Sequence, residues 1–168
     1  GMPVATAIYD KNGEGDTLNG GDWQFTQERI NAFFNDPHGQ AAHLLGKATN
    51  CLVYDLYRAD KQPLRVATIA RETHFKTIEN GVLQENLVTK YQISIEYTDG
   101  LGNVALKKVQ AEPGSAFHIT KDAAGDCQIS TIDTGLNLRW IGNGRTILNN
   151  KGKPVHQYEP YFSDNPIY

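Results

Sequence analysis

The 168-residue sequence predicts a mainly β fold of antiparallel hairpins, with two short helices near the N-terminal third. Three observations carry that prediction. Tyr91-Gln92-Ile93-Ser94-Ile95-Glu96-Tyr97 alternates strictly between apolar and polar residues, the signature of a strand with one buried and one wet face. The pattern Asp/Asn-x-x-Gly recurs at Asp10 and Gly13, Asp99 and Gly102, Asp122 and Gly125, and Asn149 and Gly152. In that spacing the side-chain oxygen can accept from a nearby backbone amide and Gly supplies the positive φ that closes a tight bend. Finally, 16 Gly and 8 Tyr beside a single Met favour turns and strands over helix bundles.

From the N-terminus, Gly1-Met2 has the look of a scar from a cleaved tag, and both chain ends suggest a segment cut from a longer polypeptide. Residues 5–9 should form a short strand, and residues 13–22, rich in Gly and Asp, an exposed loop. The helical region spans residues 23–46. Its first helix, about 26–35, has Thr26 as cap, Glu28 in the first turn and Ile30, Phe33 and Phe34 on one face. Asp36-Pro37 then caps and starts a second helix that Gly46 ends, and the pair should lie over a sheet like a lid.

The sheet region covers residues 49–162, and the whole chain reads as one β-rich segment. Residues 51–57 are an almost continuous apolar run, expected of a strand covered on both faces. Residues 59–63 should turn and 65–74 resume as a strand. Alternation returns at 104–110 but slips at Lys107-Lys108, where a bulge would explain the break. Residues 138–148 and 154–162 are the last strand candidates; residues 75–88 and 115–136 have no clear assignment.

Composition narrows the function classes. Nineteen acidic against 16 basic residues give a net charge of −3, too little basic field for nucleic-acid binding. No stretch is apolar for long enough to insert in a membrane, and the N-terminus lacks the basic and apolar parts of a signal peptide. Cys51 and Cys127 each sit in a strand-like context that suits a buried, inert thiol, and a bridge between them is left open. The five His residues lack metal-ligand spacing, and no cofactor motif stands in a suitable context, so no metal, no cofactor and no catalytic residue is expected. Two small alternatives stand beside a structural role. Glu72 and His74 fall on one face if residues 71–74 are strand and could serve acid–base chemistry with a nucleophile. Trp140, Tyr158, Tyr161 and Phe162 could stack a sugar or a receptor surface, although such aromatics more often pack a core.

Several blocks in fixed order carry a resemblance. They are Ala42-His43-Leu44-Leu45-Gly46-Lys47-Ala48-Thr49, Tyr97-Thr98-Asp99-Gly100-Leu101-Gly102, Lys107-Lys108-Val109-Gln110-Ala111-Glu112-Pro113-Gly114, Arg139-Trp140-Ile141-Gly142-Asn143-Gly144-Arg145-Thr146 and Tyr158-Glu159-Pro160-Tyr161-Phe162. Together, over roughly residues 41–162, the chain resembles the B component of bacterial insecticidal toxin complexes, in its virulence-plasmid-B-like and Rhs/YD-repeat sequence. The resemblance implies a secreted, non-enzymatic piece of a β-shell that encloses a toxic cargo. Its implied partners are the remainder of the B component and a C-type toxin component, with self-association when the piece is excised. The YD pattern departs from the family at Asn149-Asn150, where Tyr-Asp would be usual.

Overall fold

A computed structural model describes residues 1–57, 62–86, 88, 90–99, 102–143 and 146–168. Most of the turn expected at 59–63, together with Gly100, Leu101, Gly144 and Arg145, lies outside the described residues. The chain is mainly β with antiparallel sheets and two helices, as the alternation and the bends predict. It divides into two compact units: residues 1–57 with 66–93, and residues 58–65 with 94–168.

In the first unit the strand order is β1 (Ala5–Thr6), β2 (Asn50–Asp55), β3 (Leu64–Arg71) and β6 (Tyr91–Thr98), whose first three residues belong to this unit. β1 is shorter than the expected 5–9, and Tyr9 instead makes an isolated bridge with Gly15. β2 is covered on one face only: Cys51, Val53 and Asp55 are buried while the residues between them are half-buried.

The helices start and stop where local chemistry dictates. α1 (Gln27–Asn35) is capped by Thr26, whose hydroxyl accepts from the Arg29 amide at 3.3 Å. α2 (Pro37–Leu45) has Asp36 as cap, accepting from the Gly39 amide at 3.0 Å, and Pro37 in its first turn, where a missing N–H costs nothing. Gly46, at φ +54°, ends it. Phe33 and Phe34 meet edge to face with ring centroids 5.1 Å apart, and with Ala41, Leu44 and Leu45 they form the buried side of the pair. Both helices pack on β2, and the Gln27 amide donates to Asp55 Oδ1 at 3.2 Å. The unassigned stretch 75–88 contains a hairpin of β4 (Lys76–Glu79) and β5 (Val82–Glu85), turned by Asn80 and Gly81, both at positive φ.

In the second unit the order runs from β6 through β7 (Val104–Ala111), β10 (Arg139–Gly142), β13 (Tyr161–Ser163) and β8 (Ser115–Lys121) to β9 (Cys127–Asp133) at the edge. Neighbours are antiparallel except β13 and β8, which run parallel at Ser163 and Phe117. β11 (Thr146–Leu148) and β12 (Pro154–Gln157) pair separately, so the two long strand candidates at 138–148 and 154–162 each break in two. The bulge in β7 is not at Lys107-Lys108. Tyr97 opposes Leu106 and Thr98 opposes Val104, which leaves Ala105 as the extra residue. The core of this unit gathers Ile95, Tyr97, Leu106, Ala116 and Trp140.

The contrast between the core strand and the edge strand is measurable. Ile95 is 0% exposed and Ile129 in β9 is 67% exposed. Ile95→Ala should cost about 2–5 kcal/mol in urea unfolding, whereas Ile129→Ala should stay within about 0.5 kcal/mol of the parent.

Candidate functional site

Three of the four recurring bends share one construction. After β6, the Asp99 amide donates to the Asn103 carbonyl at 2.9 Å, the Gly102 amide to the Asp99 carbonyl at 3.2 Å, and the Asn103 amide to Asp99 Oδ1 at 2.9 Å. Between β8 and β9 the same bonds run from Asp122 to Asp126 at 3.0 Å, Gly125 to Asp122 at 3.0 Å, and Asp126 to Asp122 Oδ1 at 2.9 Å. Between β11 and β12 they run from Asn149 to Lys153 at 2.8 Å, Gly152 to Asn149 at 2.9 Å, and Lys153 to Asn149 Oδ1 at 3.0 Å. Gly102, Gly125 and Gly152 stand at φ +87°, +89° and +71°. The backbone amide of Asp126 above all, then the Gln128 side chain, holds the Asp122 carboxyl below its usual range. The fourth bend differs. Asp10 caps a single 3-10 turn, Lys11–Gly13, and it is the Glu14 amide that donates back to the Lys11 carbonyl.

The aromatic residues do not form one platform. Trp140 is 2% exposed, because alternation in β10 turns it into the core; it cannot stack a sugar. Tyr158 is exposed and Tyr161 half-buried, and these two line a cavity of about 520 Å³ with Phe117 and Tyr168. Phe162 lies under the Arg139 guanidinium, 3.6 Å from the ring centroid.

Glu72 and His74 also separate. β3 ends at Arg71, so strand alternation does not reach His74. Glu72 Oε1 accepts from the Gln92 amide at 2.9 Å, while His74 Nδ1 lies 2.9 Å from Asp16 Oδ2. Asp16 belongs to the loop expected to be exposed, yet it is 3% exposed. Its carboxylate accepts from Thr49 Oγ1 at 2.5 Å and the Phe75 amide at 2.6 Å, with Arg71 Nε 3.7 Å away. Burial pushes the Asp16 carboxyl up, but the Thr49, Phe75 and His74 bonds together outweigh it and hold the group below its usual range. Arg71 is itself buried and donates to the Ala48 carbonyl at 3.0 Å and to the Gly46 carbonyl. With both oxygens engaged, Asp16 serves as a clamp that ties the 13–22 loop to β3 and to the residues after α2.

The thiols differ as well. Cys51 is buried, and burial pushes its thiol up to about 12 against the opposing pull of Arg29. Cys127, expected to be buried, is exposed in the edge strand; both are free.

Lys108 is the functional-looking residue that sequence reasoning missed. It lies on the inward face of β7 at 2% exposed. Its Nζ donates to Ser163 Oγ at 2.6 Å, approaches the Asn165 carbonyl at 3.5 Å and stands 4.7 Å from the Tyr161 ring centroid. Burial pushes its ammonium down to about 8, while Asp164 pulls the other way. A signal was present: Lys108 keeps the alternation set by Leu106 once Ala105 is taken as the bulge. Among the described residues no group of three or more His, Cys, Asp or Glu side chains could hold a metal ion, and no helix is long and apolar enough to cross a membrane.

The fold resembles a stretch of the crystal structure of TcdB2-TccC3, with a TM-score of 0.50 and 24% identity over 73% of this chain and 5% of that one. The crystal structure of TcdB2-TccC3 without hypervariable C-terminal region is also similar, at a TM-score of 0.48 and 15% identity, over 73% of this chain and 8% of that one. At such identities the likeness is one of fold, and the chain spans a small fraction of the chains it matches. No protein-family profile matches the sequence, and no curated protein does.

The Asp16 clamp has a pH signature. A carboxyl whose folded pKa lies below its unfolded value, about 3.9, contributes stability above that value and loses it as pH falls through the folded pKa. Asp16→Asn should lower stability by about 1–3 kcal/mol near neutral pH and flatten the acid limb below about pH 4, measured by urea unfolding across pH.

Proposed function

We propose that this chain is a non-enzymatic structural segment of a toxin-complex shell, a stretch of Rhs/YD-type β-wall that helps enclose a toxic cargo. The likeness of its fold to part of TcdB2-TccC3 is the observation that carries the reading. The repeated bends support it: a wall is built by returning the chain on itself at short, regular intervals, and three bends of one construction do so here.

A wall also needs edges that meet further strands. All seven residues of β9 are exposed, among them Ile129 and Ile132, and β9 ends the strand order of its unit. An exposed strand of that kind, with its unpaired backbone groups, is a template for another strand. In this reading the partners are the remainder of a toxin B component and a C-type component, and the chain acts in a secreted assembly. Enclosure, rather than chemistry on a substrate, is its contribution.

Sedimentation velocity of the isolated chain tests this. The average mass should rise with protein concentration, and Ile129→Lys, which places a charge on the edge strand, should suppress the rise without loss of folded structure by circular dichroism. A chain that stays monomeric at every concentration, or associates equally well with Lys at 129, contradicts a wall segment with open edges.

A further inference from the structure

The second unit holds a cavity of about 600 Å³ whose chemistry a wall segment does not require. Among the described residues, three cationic ones line it, Arg65, Lys108 and Lys121, and no Asp or Glu does. Its walls are aromatic and aliphatic: Tyr97 and Tyr168 meet there with ring centroids 5.5 Å apart, and Tyr161, Ile119 and Ile167 complete them. The volume falls within the range of small-molecule sites, about 300–1,000 Å³, and the combination of apolar walls with a few placed polar groups is typical of them.

Lys108 gives the cavity its polarity. Its ammonium has three N–H donors, and the partners around it are all neutral: the Ser163 hydroxyl, the Asn165 carbonyl and the Tyr161 ring face. Among the described residues no carboxylate oxygen lies within the 4.0 Å of an ion pair with it. Asp164 acts on the ammonium only from beyond ion-pair distance and offsets part of the cost of burying the charge, so burial still pushes this amine down. Ser163 is 3% exposed and donates its own hydroxyl proton to the Asn165 carbonyl at 2.8 Å, so the amine is held in place rather than free to swing out.

We propose that this cavity binds a small aromatic monocarboxylate, its carboxylate against Lys108 and its ring between the tyrosine walls. A single anionic charge matches the single buried ammonium, and Lys121, exposed on β8, adds a favourable field at the rim. The flat apolar body suits faces built from phenol rings, where offset and edge-on contacts add to area burial. The proposal does not rest on the wall reading: its ammonium sits on β7, an interior strand of the unit, although Cys127 of the edge strand also lines the cavity.

Titration calorimetry or NMR with benzoate, benzyl alcohol, acetate and inorganic phosphate tests the proposal on the full chain. Benzoate should bind, and benzyl alcohol, which keeps the ring but lacks the charge, should bind about tenfold or more weakly, as should acetate, which keeps the charge but lacks the ring. Lys108→Met, which keeps the length of the side chain, should weaken benzoate about tenfold or more, while Lys121→Met should have a smaller effect. Equal binding of benzoate and benzyl alcohol would reduce the cavity to an apolar cleft and overturn the proposal. So would phosphate or acetate binding as tightly as benzoate, unchanged benzoate affinity in Lys108→Met, or no benzoate binding at all. The ligand comparison on the parent chain stands even if a variant fails to fold.

Discussion

The constraint on which the second unit depends is the closure of a hairpin within a few residues. Each strand leaves its backbone groups to be paired, and a strand laid beside it in the next few residues satisfies them at little cost in loop entropy. The Asp or Asn at the head of each of these three bends performs two tasks: its carbonyl receives the closing Gly amide, and its side-chain oxygen receives the amide of the residue just after that Gly. The Gly must stand near φ +80°, where a Cβ would be strained. Register follows from the bend, and from register follows which side chains enter the core.

In the first unit a different device holds the irregular backbone. The loop before α1 has little apolar surface to bury, so it is anchored by one carboxylate that gathers a hydroxyl, an imidazole, a backbone amide and a nearby guanidinium. Arg71 extends the anchor to the carbonyls after α2. Such a cluster fixes geometry more than it adds net stability, because the desolvation of both charges offsets much of their attraction. Lys108 stands in contrast: a buried charge held by hydrogen bonds to neutral groups, with Asp164 acting on it only from beyond ion-pair distance, and which faces a cavity.

Much of the local structure was legible because its causes are local. Thr26, Asp36-Pro37 and Gly46 bound the helices through caps that act within one turn, and the alternation of residues 91–97 is a direct print of the pleat. The hairpin at Asn80-Gly81 was equally legible in principle, since that dipeptide favours positive φ at both positions of a two-residue turn, but Lys76–Glu79 and Val82–Glu85 on either side do not alternate apolar with polar residues. The strands of residues 115–133 were obscured because the edge strand has no buried face to impose a pattern. Burial of Asp16 and Lys108 was beyond a local reading altogether. Their partners Phe75 and Ser163 lie 59 and 55 positions away, and only the finished fold brings them together.

A chain whose function is to be one stretch of a larger sheet must have an edge that becomes paired when the sheet is completed. Hydrogen exchange of the outward-facing amides of Cys127–Asp133 measures this directly, first on the isolated chain and then in the assembly purified from its native source. If β9 is a joining edge, these amides exchange rapidly in isolation and become strongly protected in the assembly. Rapid exchange in both states would mean that no strand joins there, and the wall reading would be wrong.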